Sequence, residues 1–443
     1  MREIRKYDLK YPIGFADNLT RYIETLDCGI ILRSNSYISK KDKNSVRSSY
    51  DFLAGLSVLS ICKPEVGKQL ESLRKIYLEV NDWLFGYIGY DVKNELEDLK
   101  SENFDGLGFN DIFFFQPKIV MIFKEGKLNV KYSPDITSID EIDSLIEEFD
   151  HEEVEKNSKS TVAFFTGRFT KEEYIETVKE IKSHIQQGDI YEMNFCQEFY
   201  KENAELNPAE IFIALNRYSP TPFASFFKKG NKFILSASPE RFLKKKREVI
   251  VSQPIKGTVA RSIDPDEDEH IKTMLKNDPK ERAENIMIVD LVRNDLSKIA
   301  EVGSVNVDEL CGVYPFRQLY QMISTISCKV KKDKDFVDVI KATFPMGSMT
   351  GAPKIRAMQL IEHFERTKRG LYSGSIGYLS PEQDFDLNVV IRTLLYNSES
   401  KYLSFSVGSA ITINSDPEKE YHECLLKAKA ILSTLKAEIV NAG

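Results

Sequence analysis

Apolar and polar positions change period several times along the chain, and each change marks a structural element. Thr170 followed by Glu173 forms a capping box, and Tyr174, Val178, Ile181 and Ile185 recur behind it at helical spacing until Gly188. Residues 190–200 switch to a period of two, which predicts a strand with Tyr191, Met193, Phe195 and Phe199 on one face. Asn207-Pro208 supplies a cap and a first-turn proline for a helix to about Tyr218. Three short strand patterns follow, at 223–227, 232–237 and 249–253, and others stand upstream at 29–32, 113–115 and 119–123. Pairs and triplets of strands between helices predict a mixed, largely antiparallel architecture rather than a βαβ array.

Three further segments have their own character. Between Asp140 and Lys159 the chain turns acidic, then polar. Ile142, Leu145, Ile146 and Phe149 predict an amphipathic helix, and the polar run after it a solvated linker. A boundary near Glu155 would divide an N-terminal region, 1–155, from a catalytic region, 160–443. The helical pattern over 280–298 is apolar all round from 286 to 292 except at Asp290, which predicts burial and requires partners for Glu284, Asp290, Arg293 and Asn294. Finally, Ser415-Asp416-Pro417 caps a helix with Glu420, Glu423 and Lys427 on one face. That face is either a solvated Glu–Lys pair or, with the other acidic helix, a set of oxygens for a hard metal ion.

Composition narrows the partners. The 443 residues carry a formal charge of −7, and no basic run is interleaved with aromatics, which argues against nucleic acid. No uncharged apolar run approaches the roughly 18 residues of a membrane-spanning helix, and the first 20 residues lack a signal-peptide core. Six widely spaced cysteines without a CxxC pair suit a reducing cytoplasm better than a zinc site or a disulfide framework. Five histidines without paired spacing leave oxygen ligands as the expected way to hold any metal.

Two residues invite a catalytic reading. Lys256 stands at an apolar strand end directly before Gly257, and burial there would lower its pKa and free a nucleophilic amine. Glu240 sits in the turn-like Ser238-Pro239-Glu240. By position alone each reads as a surface residue, and the segments around them raise the catalytic reading. The segment 347–354 lacks the Gly-Lys-Ser/Thr of a phosphate loop, yet it is a glycine-rich entry to a helix able to offer N–H groups to an anion. Val407-Gly408-Ser409 has the same capacity.

Together these segments closely resemble the chorismate-utilising enzymes, a family that includes anthranilate, aminodeoxychorismate, isochorismate and salicylate synthases. The matching motifs are SASPERF (236–242), PIKGT (254–258), ERAENIMIVDLVRNDL (281–296), FPMGSMTGAPKIRAM (344–358), SGSIGYLS (373–380), IRTL (391–394) and the helix of Glu420, Glu423 and Lys427. They recur in family order over about 170–435. The resemblance implies an α+β fold of four layers, α/β/β/α, with two roughly orthogonal and mostly antiparallel sheets. It implies Mg²⁺ held by Glu284 and Glu423, with Glu281 and Glu420 close by. It also implies that Arg392, Tyr378, Lys427 and the backbone of Gly408 and Ser409 bind the carboxylates of chorismate, with Thr350 and Gly351 lining the pocket. A dianion is well matched by a divalent cation, an arginine fork and free N–H groups.

Lys256 discriminates within the family, because its PIKGT motif matches aminodeoxychorismate synthases where anthranilate and salicylate synthases have alanine. The resemblance then implies attack by the Lys256 amine on ring carbon 2, loss of the C4 hydroxyl with Glu240 as general acid, and addition of ammonia at C4 to give 4-amino-4-deoxychorismate. No cysteine lies in a Gly-x-Cys-x-Gly elbow, so the ammonia is expected from a separate glutaminase subunit, and p-aminobenzoate release from another enzyme. The alternatives are anthranilate synthase component I, isochorismate or salicylate synthase, and a non-catalytic chorismate-binding regulator. Two departures from the family favour amination at C4. Gln321 replaces a histidine and cannot shuttle a proton, and Ile31-Leu32-Arg33-Ser34 replaces the LLES-like segment of the tryptophan feedback pocket. Chorismate turnover by the purified protein is therefore expected to be unchanged by millimolar tryptophan; a progressive fall in rate across that range would contradict this reading of Arg33.

Overall fold

Capping chemistry fixes several elements where the sequence predicts them. In the computed structural model, which describes residues 2–35, 50–65, 67–152 and 160–440, the helix Lys171–Gln186 begins with both hydrogen bonds of the Thr170/Glu173 capping box. Gly188, at φ +84°, follows its end. Pro208–Tyr218 starts on its proline, although Asn207 makes no side-chain cap. Ile139–Phe149 buries the four predicted apolar residues, and Asp416 caps Pro417–Leu435 by accepting from the Lys419 N–H. The linker expected after Phe149, with its boundary near Glu155, lies outside the described residues.

Three expectations need correction. Tyr191 does not share a face with Met193, Phe195 and Phe199; it precedes the strand Glu192–Lys201 and is 70% exposed, whereas those three are fully buried. The patterns at 113–115 and 119–123 are one strand, Ile112–Lys124, which passes through Pro117. The helix Pro279–Ser297 is not buried all round: Glu284, Asn285, Ile288, Val289 and Leu296 face inward, while Ile286 is half-exposed. Asp290 and Arg293 simply pair with each other in solvent, at 2.8 Å. The apolar run misled because the helix covers a sheet edge beside a cavity and has only one packed face.

The long strand Ile112–Lys124 organises the sheets. Its second half pairs antiparallel with Phe52–Ile61 and Lys127–Tyr132, while its first half pairs with Leu84–Ile88. From Phe52–Ile61 hydrogen bonding runs on through Cys28–Arg33, Phe223–Lys229, Lys232–Ser238, Thr393–Asn397 and Tyr402–Ile411 to Glu192–Lys201. From Leu84–Ile88 it runs through Ser375–Leu379, Phe385–Asn388, Arg241–Lys246 and Val249–Gln253 to Leu319–Lys329. These pairings are antiparallel; Glu438–Val440 beside Phe164–Gly167 is parallel.

The core separates along the same lines. One cluster packs Phe15, Tyr174, Ile211, Met358 and Ile431, from five helices, against the outer face of the first sheet. A second packs Leu73, Val289 and Ile340, from three other helices, against the second sheet. Between the sheets lies a third, with Ile30, Phe227 and Ile234 from one side and Phe85, Tyr87 and Ile376 from the other. Helix, sheet, sheet, helix is therefore the layer order, an α+β fold. The inter-sheet layer is aromatic: Phe227 meets Tyr87 and Phe113 edge-on at centroid distances of 5.6 and 5.8 Å. Phe227→Ala is expected to cost about 3–5 kcal/mol by leaving a cavity between rigid sheets; urea unfolding would measure it, and a loss below about 1 kcal/mol would mean that the layers are not locked there.

Candidate active site

The strand Ile255–Ala260 pairs with Leu319–Lys329, and its register shifts between Ile255 and Thr258. An irregularity of this kind re-aims a side chain. Lys256 lies in it, followed by Gly257 at φ +93°, where a Cβ would stand 3.1 Å from Glu281 Oε2. The Lys256 side chain therefore enters a cavity lined by Glu240, Glu281, Glu284, Arg392, Gly408, Glu420, Glu423 and Lys427. Its Nζ donates a 2.9 Å hydrogen bond to Glu192 Oε1. The expected fall in the lysine pKa does not occur. Burial opposes its charge most strongly, but Glu192, Glu284 and Glu240 together outweigh it and raise the pKa. At rest, Lys256 is an ammonium.

Glu240 is no surface turn residue. It is 4% exposed, between the strands Lys232–Ser238 and Arg241–Lys246, with the Ser348 hydroxyl donating to its carboxylate at 2.7 Å. Burial is the main cause that pushes its pKa from 4.5 up to about 7, against the Ser348 bond and Lys256. A carboxyl with its pKa near the working pH is suited to general acid chemistry.

Two helices bring the remaining carboxylates together. Pro279–Ser297 supplies Glu281 and Glu284, and Pro417–Leu435 supplies Glu420 and Glu423. Burial raises Glu284 to about 7 and raises Glu281 as well. Burial also opposes the charge of Glu423, yet Lys427 at 2.7 Å prevails and its pKa is lowered. Glu284 Oε1 is buried without a hydrogen-bond partner, and the Lys280 ammonium stands 3.8 Å from it and 3.7 Å from Glu420 Oε1. These donors fit a hard divalent ion in kind. As placed, no group of three or more acidic, histidine or cysteine side chains among the described residues forms a metal-binding cluster, and Lys280 supplies the local positive charge.

Arg392 faces the cavity from a left-handed backbone, at φ 50°, a conformation that is costly for a residue with a Cβ. Its guanidinium makes no hydrogen bond or ion pair with another described residue, and burial lowers its pKa to about 10. An unpaired guanidinium beside a cavity is an anion receptor. Lys427 donates to the Gly408 carbonyl at 2.8 Å, which ties the last helix to the strand Tyr402–Ile411.

Four residues expected at the pocket lie elsewhere. Thr350 is fully buried, and its hydroxyl donates to the Met346 carbonyl at 3.2 Å. Gly351, at φ +150°, abuts the Glu192 carbonyl so closely that a Cβ would stand 2.1 Å from it. Ser409 is buried in its strand, and it is Gly408 that reaches the cavity. Tyr378 packs between Trp83 and Tyr50, at centroid distances of 5.5 and 5.8 Å, in the aromatic region of the inter-sheet layer. Sequence reading missed Glu192, Lys280 and Ser348. For Glu192 a signal existed, since an acidic residue opening a strand buried on both faces must have a partner.

Fold and cavity thus define a protein with an interior site for a small anionic molecule. The chain belongs to the chorismate binding enzyme family, whose profile matches residues 31–433. It is 44% identical over 265 residues to a probable chloroplastic aminodeoxychorismate synthase of Oryza sativa subsp. japonica, covering 59% of this chain and 29% of that protein. The chain thus spans under a third of that relative's length. It is 32% identical over 373 residues to anthranilate synthase component 1 of Aquifex aeolicus (strain VF5), covering 80% of this chain and 74% of the other. Its structure is similar to that of anthranilate synthase component I from Streptococcus pneumoniae TIGR4, with a TM-score of 0.73, 25% identity, and coverage of 97% and 92%.

The Glu240 carboxyl generates a pH prediction. Its folded pKa lies above the unfolded value, so the folded state holds the proton more tightly, and stability falls as pH rises from about 4.5 to 7 and levels off above. Glu240→Gln is expected to flatten that fall by up to roughly 3 kcal/mol. The slope contributed by Glu284 remains. Urea denaturation at several pH values checks it, and identical profiles for variant and wild type would refute the raised pKa.

Proposed function

We propose that this chain is a chorismate-aminating synthase that converts chorismate and ammonia to 4-amino-4-deoxychorismate, on the route to p-aminobenzoate and folate. The observation that carries the reading is Lys256 in the same cavity as Glu240, whose pKa burial pushes up to about 7, and an unpaired Arg392. Family membership supports chorismate as the ligand, and the 44% identity to an aminodeoxychorismate synthase supports C4 as the site of amination. Arg392 and the Gly408 backbone hold the substrate carboxylates. Lys256 attacks ring carbon 2, and Glu240 protonates the departing C4 hydroxyl. Ammonia from a separate glutaminase subunit then adds at C4, the amine leaves, and Glu240 recovers a proton. Glu284 and Glu423 would hold Mg²⁺, with Glu281 and Glu420 beside them. The ion supplies a fixed positive charge for a substrate carboxylate. The protein acts in the cytoplasm.

Anthranilate synthesis is the second reading, favoured by the longer match to the Aquifex protein. Product identification separates the two. Purified protein with chorismate, ammonium and Mg²⁺ is expected to yield p-aminobenzoate only when aminodeoxychorismate lyase is added, and nothing once the metal is chelated. Lys256→Ala should abolish C4 amination with substrate affinity changed by less than about threefold, as expected for a nucleophile that acts only in the reaction. Anthranilate formed without lyase, or wild-type amination by the variant, would overturn the proposal.

A further inference from the structure

The proposed reaction needs a free amine, yet the cavity stabilises the Lys256 ammonium. Some group must take its proton before attack. Charged groups reach toward Lys256 from four directions: Glu192 on the strand Glu192–Lys201, Glu281 and Glu284 on the helix Pro279–Ser297, Glu423 on the helix Pro417–Leu435, and Glu240 between two strands. Among the described residues, Glu192 is the one carboxylate hydrogen-bonded to Nζ. Glu240 accepts the Ser348 hydroxyl and must itself begin as an acid, so it cannot also be the base. The second oxygen of Glu192 is buried with no hydrogen-bond partner.

The position of Glu192 is fixed independently of the lysine. Gly351–Ala352 pairs antiparallel with Met193 and Glu192, and Gly351 leaves no room for any side chain against the Glu192 carbonyl. Arg369 clamps the next turn of chain, donating to the carbonyls of Met349 and Asn194 at 2.6 and 2.8 Å. The carboxylate is therefore presented to Nζ by backbone that cannot drift.

We propose that Glu192 is the base of this site: it accepts the proton of the Lys256 ammonium before attack and returns it when the amine departs. The inference rests on the C4 amination through Lys256 proposed above. The proton balance closes. Transfer from Nζ to Glu192 leaves a neutral amine and a carboxylic acid. The amine forms its bond to ring carbon 2 as the C4–O bond breaks, and the hydroxyl leaves as water with the Glu240 proton. Ammonia bonds to C4, the C2–N bond breaks to regenerate the neutral amine, and Glu240 takes the excess proton of the new ammonium. Glu192 then reprotonates Lys256.

The test is Glu192→Gln, nearly isosteric, in the chorismate–ammonium assay with Glu192→Asp and Lys256→Ala alongside. The expected result is a fall in kcat of about 100-fold near neutral pH, the size of a general-base contribution, with KM for chorismate within about threefold. The rate of the Gln variant should climb with pH as solvent takes over the proton, and Glu192→Asp should recover part of kcat. Without ammonium, intact-protein mass spectrometry should show wild type gaining the mass of chorismate less one water, and the Gln variant gaining it far more slowly. A Gln variant as fast as wild type, or faster, would overturn the inference and make Glu192 a mere counter-ion. So would a loss confined to KM. If the Gln variant does not fold, an Asp variant with unchanged kcat and adduct rate overturns it. Failure of the functional reading looks different: wild type makes anthranilate, or Lys256→Ala still aminates at C4.

Discussion

One buried ion pair holds together the segments that line the cavity. Glu365 and Arg369 end a helix and the turn after it, at 2–4% side-chain exposure, and join at 2.6 Å. Two charges in the interior are tolerable only if their remaining hydrogen-bonding capacity is satisfied. Here the Cys196 N–H donates to Glu365, and Arg369 donates to the Met349 and Asn194 carbonyls. Those acceptors are the backbone of two segments that converge on the cavity. One carries Ser348, which binds Glu240, and the other carries Glu192, which binds Lys256. Glu240 and Lys256 are thus positioned through a pair that touches neither. Removing either charge would strand the other, and the two strands of the site would lose their common anchor.

That dependence explains what the sequence could and could not disclose. Caps were legible because they act between residues three apart, as at Thr170/Glu173 and Asp416. Layer order was legible in outline because the motifs of 236–258 and 344–394 resemble one family. The pairing of Lys256 with Glu192 spans 64 residues, so the buried strand signals that this glutamate needs a partner but not which residue supplies it. Glu365 and Arg369 read along the chain as an ordinary i,i+4 surface pair.

Local pattern misled where a single face had to be inferred. Ile286 looked like core because its neighbours are apolar, but the helix Pro279–Ser297 faces a cavity as well as a sheet. Tyr378 illustrates the opposite error. Its strand alternates, so a one-residue step moves a side chain to the other sheet face, and this tyrosine points into the inter-sheet aromatic layer with Trp83. Motif position alone does not specify the face.

Charge balance gives the cavity its logic. Its lining carries five carboxylates, Glu240, Glu281, Glu284, Glu420 and Glu423, against four cations, Lys256, Lys280, Arg392 and Lys427. Glu192 lies behind Lys256, so full ionisation would leave an excess of two negative charges. Burial offsets part of that excess by pushing Glu240 and Glu284 up to about 7, so that each holds a proton about half of the time near pH 7. A dianionic ligand entering such a site brings two negative charges that Arg392 and Lys427 alone cannot offset, because the existing carboxylates already engage the lysines. One divalent cation would offset those two charges, and Lys280 marks where positive charge is already drawn in. The same arithmetic accounts for the guarded state of Lys256. Lys256 is the counter-charge to Glu192 in that site, and a proton moving within the pair would change no net charge in the cavity.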